Sequence, residues 1–213
     1  MKLYGYWRSS AAYRVRIALN LKGLDAEQLS VHLVKNGGEQ HSDDYVVLNP
    51  QHLVPSLVLD DGTVLTQSLA IMEYFEDTGM GLPLLPASAA DKATVRAMCL
   101  AIACEIHPLN NLRVLQYLSG DMGLSDEVKN AWYHHWIHEG FTAFEKLLAR
   151  HSGQYCFGDI PTLADACLIP QVYNARRFNV PLDNYPNILR IEARCNATQA
   201  FIDALPENQP DAV

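Results

Sequence analysis

Cysteine is missing from the chain up to residue 98, and the five cysteines stand at positions 99, 104, 156, 167 and 195. No two of them have the Cys-x-x-Cys spacing, so neither a zinc knuckle nor a dithiol redox motif is available. An odd number of cysteines without paired spacing is typical of reduced thiols rather than of a disulfide framework. The N-terminal part of the chain is therefore not expected to act as a disulfide reductase.

Basic residues are also scarce, because 16 lysines and arginines stand against 24 acidic residues and the formal net charge is −8. This balance disfavours nucleic acid or an anionic membrane surface as a partner. No apolar run is long enough to span a bilayer, and Arg8, Arg14 and Arg16 interrupt the apolar core that a signal peptide needs. A hydrophobic content of 49% suffices for a packed core, so we predict a cytoplasmic protein.

The chain has eight histidines, and three of them stand close together at positions 134, 135 and 138. His134 and His138 have the i, i+4 spacing of a zinc-binding helix, but His135 stands where that motif requires a glutamate. We therefore predict no metal site and interpret this segment as a solvated helix or one at the edge of a dimer.

The first 78 residues alternate between strand and helix signals. Asp60-Asp61-Gly62 separates two short apolar runs and has the chemistry of a tight hairpin turn. Ser68 is predicted to cap the helix that follows this hairpin. The predicted strands are 2–6, 26–33, 56–59 and 64–66, and the predicted helices are 10–22, a short piece before residue 49, and 69–76. A hairpin that follows a βαβ unit predicts a mixed sheet of four strands.

All signals after a Gly- and Pro-containing segment at 80–86 are helical. Thr162-Leu163-Ala164-Asp165 has the spacing of a capping box, with Asp in place of the usual Glu. The predicted helices are 89–118, 126–149, 162–175, 187–196 and 199–204, followed by a loose tail at 206–213. We thus predict an α/β domain at 1–79, a linker at 80–86 and an all-helical domain at 87–213.

Ser9 and Ser10 lie where the first strand turns into the first helix. Free backbone N–H groups and the positive end of the helix dipole favour an anion at such a place, and a thiolate there would give the site a chemistry. The alternative is that Ser9 is only the helix cap, which is a common role for serine. Both interpretations remain open at this point.

Two further signals lie in the same domain. A cis bond at Val54-Pro55 would present the backbone of Val54 to an extended ligand, although an ordinary proline at a strand start is an equal alternative. Gln67-Ser68 stands directly before a helix, where the Ser68 hydroxyl and free N–H groups could hold a carboxylate or simply cap the helix.

Together these motifs resemble those of the zeta-class glutathione transferases, the family that includes maleylacetoacetate and maleylpyruvate isomerases, over essentially the whole chain. The residues that carry the resemblance are Ser9-Ser10-x-x-x-Arg14-Val15-Arg16-Ile17-Ala18-Leu19, Asn36-Gly37-Gly38-Glu39-Gln40, Leu48-Asn49-Pro50, Val54-Pro55, Gln67-Ser68-Leu69-Ala70-Ile71, Thr162-Leu163-Ala164-Asp165 and Pro170-Gln171-Val172. The resemblance implies a thioredoxin-like N-terminal domain, an all-helical C-terminal domain and a homodimer.

The resemblance also implies a glutathione site. Ser9 would donate a hydrogen bond to the glutathione sulfur, with Ser10 as its support, and Val54 would pair with the cysteinyl backbone. The remaining residues implied to bind glutathione are Gln67 and Ser68 at the γ-glutamyl end, Gln40 at the glycine end, and His107 and Asn111 from the helical domain.

The implied reaction is cis–trans isomerisation of an activated double bond by reversible addition of the thiolate, with maleylacetoacetate or maleylpyruvate as substrate. Guanidinium groups bind carboxylates bidentately, so Arg8 and Arg177 are candidates for a small dicarboxylate substrate, with Arg113 as a third. Arg14 and Arg16 are expected to hold the first helix through salt bridges.

One position departs from the family pattern, which usually reads Ser-Ser-Cys, because Ala11 follows the serine pair. A mixed disulfide with glutathione is therefore impossible at this position. Two alternatives to isomerisation remain: a transferase that conjugates small electrophiles to glutathione, and a non-catalytic interaction protein. The presence of Ser9, Gln67 and Ser68 together argues against the latter.

Overall fold

In the computed structural model, which describes all 213 residues, the N-terminal part of the chain forms a four-stranded sheet. Its strands are β1 (Lys2–Gly5), β2 (Glu27–Ser30), β3 (Ser56–Val58) and β4 (Val64–Thr66). The spatial order is β2-β1-β3-β4, with β1 parallel to β2 and antiparallel to β3, and β3 antiparallel to β4. The mixed four-stranded sheet that the sequence predicts is therefore confirmed.

Nine α-helices account for most of the remaining chain. They are α1 (Ser10–Lys22), α2 (Asp43–Leu48), α3 (Ser68–Asp77), α4 (Ala89–Ala103), α5 (Leu112–Ser119), α6 (Asp126–His151), α7 (Leu163–Arg177), α8 (Pro186–Asn196) and α9 (Gln199–Ala204). None of these helices combines the length and the apolar character that a membrane span requires.

Helix α1 begins and ends where the sequence predicts, because both ends are fixed locally. Gly23 adopts the left-handed conformation at the C-terminal end, where its N–H bonds to the carbonyl of Asn20. At the other end, the last residue of β1 is Gly5, and a Cβ there would lie 3.1 Å from the Cβ of Ala12. Glycine at this position thus allows the helix to pack closely against the strand.

Strand β2 is shorter than the predicted 26–33. The N–H of Val31 still bonds to the carbonyl of Gly5, but the next N–H, that of His32, bonds to the carboxylate of Glu39 at 2.7 Å. The strand ends because a side chain from the following loop replaces the neighbouring strand as hydrogen-bond acceptor.

The chain packs into two units. One comprises Met1–Leu84 together with Asn196–Val213, and the other comprises Leu85–Cys195. In the second unit the capping box is present as predicted, with Thr162 accepting a bond from the start of α7 and Asp165 bonding back to the Thr162 N–H at 2.8 Å. The fully buried side chains of this unit include Val95, Ile102, Ile137, Phe141, Leu148, Leu168, Val172 and Ile188.

The continuous helix predicted over 89–118 is wrong. Helix α4 ends at Ala103, a 3-10 turn occupies His107–Asn110, and α5 begins at Leu112. Pro108 lacks the N–H that a continuing helix would need. The side chain of Asn111 accepts a hydrogen bond from the Arg113 N–H at 3.2 Å and so starts a new helix.

The C-terminal segment also differs from its prediction as part of the helical domain with a loose tail. Residues 196–213 pack with the first unit, where Asn20 Nδ2 donates to the carbonyl of Ala200 at 2.9 Å and Arg16 Nε donates to that of Ala204 at 3.2 Å. The tail is attached as well, because the Asp211 carboxylate accepts a bond from the Trp7 N–H at 3.1 Å. The division at 80–86 itself stays a prediction.

Gly140 in α6 generates a testable prediction about the second unit. A Cβ at this position would lie 2.2 Å from the Cδ1 and Cγ1 atoms of Ile106, which is fully buried. Alanine in a helix interior normally stabilises by about 0.5–1 kcal/mol relative to glycine. We expect Gly140→Ala instead to lower the free energy of unfolding by about 1–3 kcal/mol, because overpacking forces the neighbour to move. Urea denaturation measures this change.

A double-mutant cycle provides the control. Ile106→Ala removes both clashing atoms, Cδ1 and Cγ1, and alone costs roughly 2–5 kcal/mol. In the Gly140→Ala background, the same substitution should cost clearly less than it does alone, because the two side chains no longer overlap. Additive losses of stability in the double variant would show that the two side chains do not compete for this space.

Candidate active site

Ser9 lies in the tight turn that connects β1 to α1. Its N–H bonds to the carbonyl of Tyr6 at 2.9 Å, and its Oγ accepts a hydrogen bond from the Ala12 N–H at 3.2 Å, which makes it the N-cap of α1. A hydroxyl has two acceptor positions and one proton. The cap uses an acceptor position and leaves the proton for donation to another group. The two interpretations of Ser9, cap and anion donor, are therefore compatible.

The first turns of α1 and α3 contain no acidic residue. The same holds for α5, α8 and α9, whereas α2, α4, α6 and α7 each have at least one. An acid there would offset the positive end of the helix dipole. The N-terminal ends of both α1 and α3 thus keep a positive electrostatic potential that attracts an external anion.

Arginines surround the turn at Ser9. The guanidinium of Arg8 lies 4.4 Å from the centroid of the Trp7 ring and donates to the Tyr6 hydroxyl at 3.2 Å. Arg16 is buried and donates to the carbonyl of Trp7 at 3.0 Å, as well as to α9. Ser10, the first residue of α1, is buried against the same turn.

The start of α3 corrects the prediction that Ser68 caps this helix. Gln67 is the N-cap residue, with a positive φ of 68°, and no side chain makes a cap hydrogen bond. The Ser68 hydroxyl, 5% exposed, instead accepts from Nη1 of the buried Arg14 at 3.2 Å. The first N–H groups of α3 therefore have no side-chain cap, and the Ser68 proton can be donated elsewhere.

Val54 is held in a buried cluster with the turn that precedes Ser9. The cluster joins Tyr6, Trp7, Val31, Tyr45 and Val54, and the Val54-Pro55 peptide bond is cis. The carbonyl of residue 53 accepts bonds from the Tyr45 hydroxyl at 2.6 Å and from the side chain of residue 49 at 2.7 Å. Burial raises the pKa of Tyr45, which keeps its phenol protonated as a donor.

Gln40 lies on the loop after β2, and only one of the two polar atoms of its side-chain amide has a hydrogen-bond partner. Its Nε2 donates to the carbonyl of Leu33 at 3.3 Å, whereas its buried Oε1 has no hydrogen-bond partner. A Cβ on Gly38, whose φ is +101°, would lie 2.5 Å from Nε2 of Gln40. Gly38 thus makes the space that this amide occupies, and the amide offers an unused acceptor.

Hydrogen bonds connect these residues within the first unit. His52 Nδ1 lies 3.3 Å from the carbonyl oxygen of Gln40, and Gln67 Nε2 donates to Gln51 Oε1 at 2.8 Å. Residues 51 and 52 belong to the same loop as Val54, so the structure brings Gln40, Val54 and Gln67 to one loop. Arg14 ties Ser68 to the helix that Ser9 caps.

The second unit contains four of the residues predicted to bind ligands, in two places. His107 Nε2 and Asn111 Nδ2 lie 3.5 Å apart, and Asn111 caps the helix in which Arg113 is exposed. Arg177 is exposed and lies 5.2 Å from the centroid of the Phe178 ring. Its neighbour Arg176 binds Glu192 through two bonds of 2.6 and 2.5 Å, so this arginine is occupied by an internal carboxylate.

Two of the four histidines of α6 take part in structural hydrogen bonds. His134 Nε2 lies 2.8 Å from the carbonyl of Phe178, and His138 Nδ1 lies 2.7 Å from the Tyr185 hydroxyl. Burial lowers the pKa of His138, which favours its neutral form.

Sequence reasoning missed the roles of Tyr45 and Asn49, and it assigned Arg14 only to holding α1. Arg14 is 2% exposed, and its position among apolar residues of an amphipathic helix was a signal that it needs an internal partner. Asn49 was part of a recognised motif, but its bond to a carbonyl four residues later has no sequence signature.

Comparison with known proteins identifies the family of this chain. A family model of the glutathione S-transferase N-terminal domain matches residues 8–78, and one of the C-terminal domain matches residues 131–204. A Vibrio cholerae protein named "Probable maleylacetoacetate isomerase" is 52% identical over 99% of this chain and 97% of its own length. A Ralstonia protein named "Maleylpyruvate isomerase" is 49% identical over the full length of both chains.

Solved structures show the same similarity. A holo structure described as maleylpyruvate isomerase, a bacterial glutathione S-transferase of the zeta class, has a TM-score of 0.95 and 48% identity over the whole of both chains. A maleylacetoacetate isomerase from Methylobacterium extorquens AM1, solved with malonate and glutathione, has a TM-score of 0.95 and 39% identity, again over both whole chains. The chain belongs to the glutathione S-transferase family and, within it, to the zeta class.

Proposed function

We propose that this chain is a glutathione-dependent isomerase that converts maleylacetoacetate or maleylpyruvate into the fumaryl isomer. The observation that carries the proposal is Ser9, which caps α1 and still has a proton to donate at the positive end of that helix. Full-length relatives at 52% and 49% identity are named for these two isomerase activities.

The residues of the first unit fit glutathione. The uncapped start of α3, with Gln67 and Ser68, suits the α-carboxylate of the γ-glutamyl end because N–H groups and the helix dipole both favour an anion. The buried, unused Oε1 of Gln40 suits an N–H donor at the glycine end. Val54 would bind the cysteinyl backbone, and we propose that His107 and Asn111 also contribute to cofactor binding.

Bound glutathione supplies a thiolate that adds reversibly to the conjugated double bond, which can then rotate. The task of the chain is to favour the thiolate, since a free thiol has a pKa near ~8.5. Each unit of depression requires about 1.4 kcal/mol. A hydrogen bond from Ser9 to an anion is worth roughly 1.5–3 kcal/mol and the helix end about 0.3–1 kcal/mol. Together they can lower the pKa of the glutathione thiol by about one to two units. Ser10 supports the turn that holds Ser9.

The arginines support a small dicarboxylate as substrate. Arg8 is held at the turn by Trp7 and Tyr6, so its guanidinium is oriented beside Ser9. Arg177 is exposed, and its neighbour Arg176 is already bound to Glu192, so Arg177 is the better candidate of this pair for a ligand carboxylate. Arg113 is the third candidate. Malonate, bound in a relative's structure, is itself a dicarboxylate.

We further propose that the protein is a cytoplasmic homodimer. The cytoplasmic location is supported by five free cysteines, four of them buried, which suit a reducing compartment. The homodimer is supported by membership of the family. Light scattering of the purified protein should then give twice the 23.8 kDa mass of the chain, and a mass of one chain at assay concentration would contradict this assembly.

Ser9 can be tested directly. We expect Ser9→Ala to reduce glutathione-dependent formation of fumarylacetoacetate from maleylacetoacetate by about 10²-fold or more, because an anion loses its hydrogen-bond donor. Ser9→Thr keeps a hydroxyl that can both cap and donate, and should retain much of the activity. Turnover without glutathione in the wild type would contradict the proposal.

Ser9→Ala removes the helix cap as well as the hydrogen-bond donor, so the loss of the cap needs its own control. Ser88 caps α4 through a 3.1 Å bond to the Asp91 N–H and lies in the other unit. Ser88→Ala should cost a similar ~1 kcal/mol of stability and leave turnover unchanged. Equal losses of activity in both variants would show that capping, and not donation, explains Ser9.

The arginines generate a second prediction. Arg8→Ala and Arg177→Ala should each raise the KM for the dicarboxylate by about tenfold or more, since a charge-assisted bond is lost. The KM for an uncharged electrophile should change little, and Arg150→Ala, at an exposed site in α6, should affect neither. Equal effects on both substrates would remove the assignment of these arginines to carboxylates.

The same assays separate isomerisation from conjugation. A transferase would consume glutathione in proportion to product, whereas an isomerase regenerates it. Wild-type inactivity toward maleylacetoacetate together with conjugation of a chlorinated aromatic would support the transferase instead.

A further inference from the structure

Two charged side chains form hydrogen bonds with the backbone of the turn before Ser9. Trp7 occupies the second position of this turn, and its backbone N–H donates to the Asp211 carboxylate at 3.1 Å. Its carbonyl accepts a bond from the Arg16 guanidinium at 3.0 Å. The Ser9 N–H closes the turn on Tyr6 at 2.9 Å. The backbone N–H and carbonyl of Trp7 are thus both bound by ionised side chains, which make stronger hydrogen bonds than neutral groups.

Asp211 reaches the turn from the far end of the chain, 204 residues away. The same carboxylate oxygen accepts a bond from the Ser30 hydroxyl at 3.0 Å, which ties the tail to the end of β2. Ala212 packs against the buried cluster that contains Tyr6 and Trp7. These contacts all lie within the first unit, so the C-terminal segment is part of the scaffold of the turn.

We infer that Asp211 is a positioning residue for the hydroxyl of Ser9. By fixing the Trp7 N–H, Asp211 sets the direction in which the chain enters α1 and so the direction of the Ser9 hydroxyl. Arg16 performs the matching task on the Trp7 carbonyl, and it also binds the carbonyl of Ala204 in α9. This inference rests on the proposed function, because it assigns Asp211 a part in stabilising the glutathione thiolate.

The contacts of Asp211 predict which kinetic parameters the loss of its side chain would change. Gln40, Gln67 and Ser68 make no hydrogen bond to Asp211, so glutathione should bind with a KM within about twofold of the wild-type value. The hydroxyl of Ser9 would be less well directed, because the turn would lose one of its two charged contacts. The effect should therefore fall on kcat and on the ionisation of the bound thiol.

The test compares Asp211→Ala and Asp211→Asn with Asp203→Asn, a control in α9 whose exposed carboxylate binds Gln199. The pKa of enzyme-bound glutathione is measured from the ultraviolet absorbance of its thiolate against pH. We expect Asp211→Ala to raise this pKa by about one unit and to reduce kcat about tenfold, since one pKa unit corresponds to a factor of ten. Asp211→Asn, which keeps a neutral acceptor, should lie between this variant and the wild type, and Asp203→Asn should match the wild type.

Ser30→Ala separates positioning from attachment of the tail, because it removes the second bond of Asp211 and leaves the bond to Trp7. It should leave the thiol pKa unchanged. Amide hydrogen exchange in a peptide covering residues 5–10 should become at least about tenfold faster in Asp211→Ala, and should not change in Asp203→Asn.

Unchanged thiol pKa and unchanged exchange in Asp211→Ala would overturn the inference. A similar rise in thiol pKa in Ser30→Ala would also overturn it, because attachment of the tail would then explain the effect. If the wild type itself does not lower the thiol pKa, the proposed function fails, and exchange at residues 5–10 still decides whether Asp211 holds the turn.

Discussion

The turn from β1 into α1 is the constraint on which the glutathione-binding unit depends. Gly5 lets the helix approach the strand, Ser9 satisfies an N–H of the first helical turn, and Arg16 holds the Trp7 carbonyl from within the helix. These contacts are short-range and mutually consistent, so the direction of α1 is fixed before any ligand binds. A donor that needs no reorganisation is the kind of group that stabilises a developing anion efficiently. The Ser9 hydroxyl meets this requirement because its acceptor side is used by the protein and its proton is not.

The distribution of charged residues along the chain is consistent with an anion-binding site at this turn. A protein with a net charge of −8 would not be expected to attract an anionic cofactor and a dicarboxylate. Exposed charges farther apart than the Debye length, about 8 Å at physiological salt, are largely screened. Local groups therefore decide binding at the site. Helices α1 and α3 begin without an acidic residue, and α3 begins without a side-chain cap. Some of the acidic residues stand instead in the first turns of α2 and α6, where they stabilise those helices.

Features set by neighbouring residues could be predicted from the sequence. The bounds of α1 and α9, the capping box at Thr162 and the mixed sheet of four strands are all confirmed. The helix predicted over 89–118 was wrong because Pro108 and Asn111 break it locally. The other errors arose where a side chain from elsewhere in the chain takes over a backbone or hydroxyl group. Glu39 ends β2, Arg14 occupies the Ser68 hydroxyl, and Asp211 attaches the tail to Trp7. Such pairings have no local pattern, since a carboxylate 204 residues away carries no sign of its partner. The candidate glutathione residues were found through family resemblance, and only the structure shows that the Gln40 acceptor is buried and unused.

The arginine beside Ser9 supports the proposed isomerisation rather than conjugation. An enzyme that releases a conjugate needs to hold mainly the reactive end of its electrophile. An isomerase has to control both ends of a substrate while the bond between them rotates, because rotation moves one carboxylate relative to the other. Arg8 is held beside Ser9 by stacking on Trp7 and by its bond to the Tyr6 hydroxyl. A fixed guanidinium suits the proposed ligand, of which one carboxylate has to stay in place while the other changes position. In the second unit, Glu192 binds Arg176, and Arg177 is left without such an internal carboxylate.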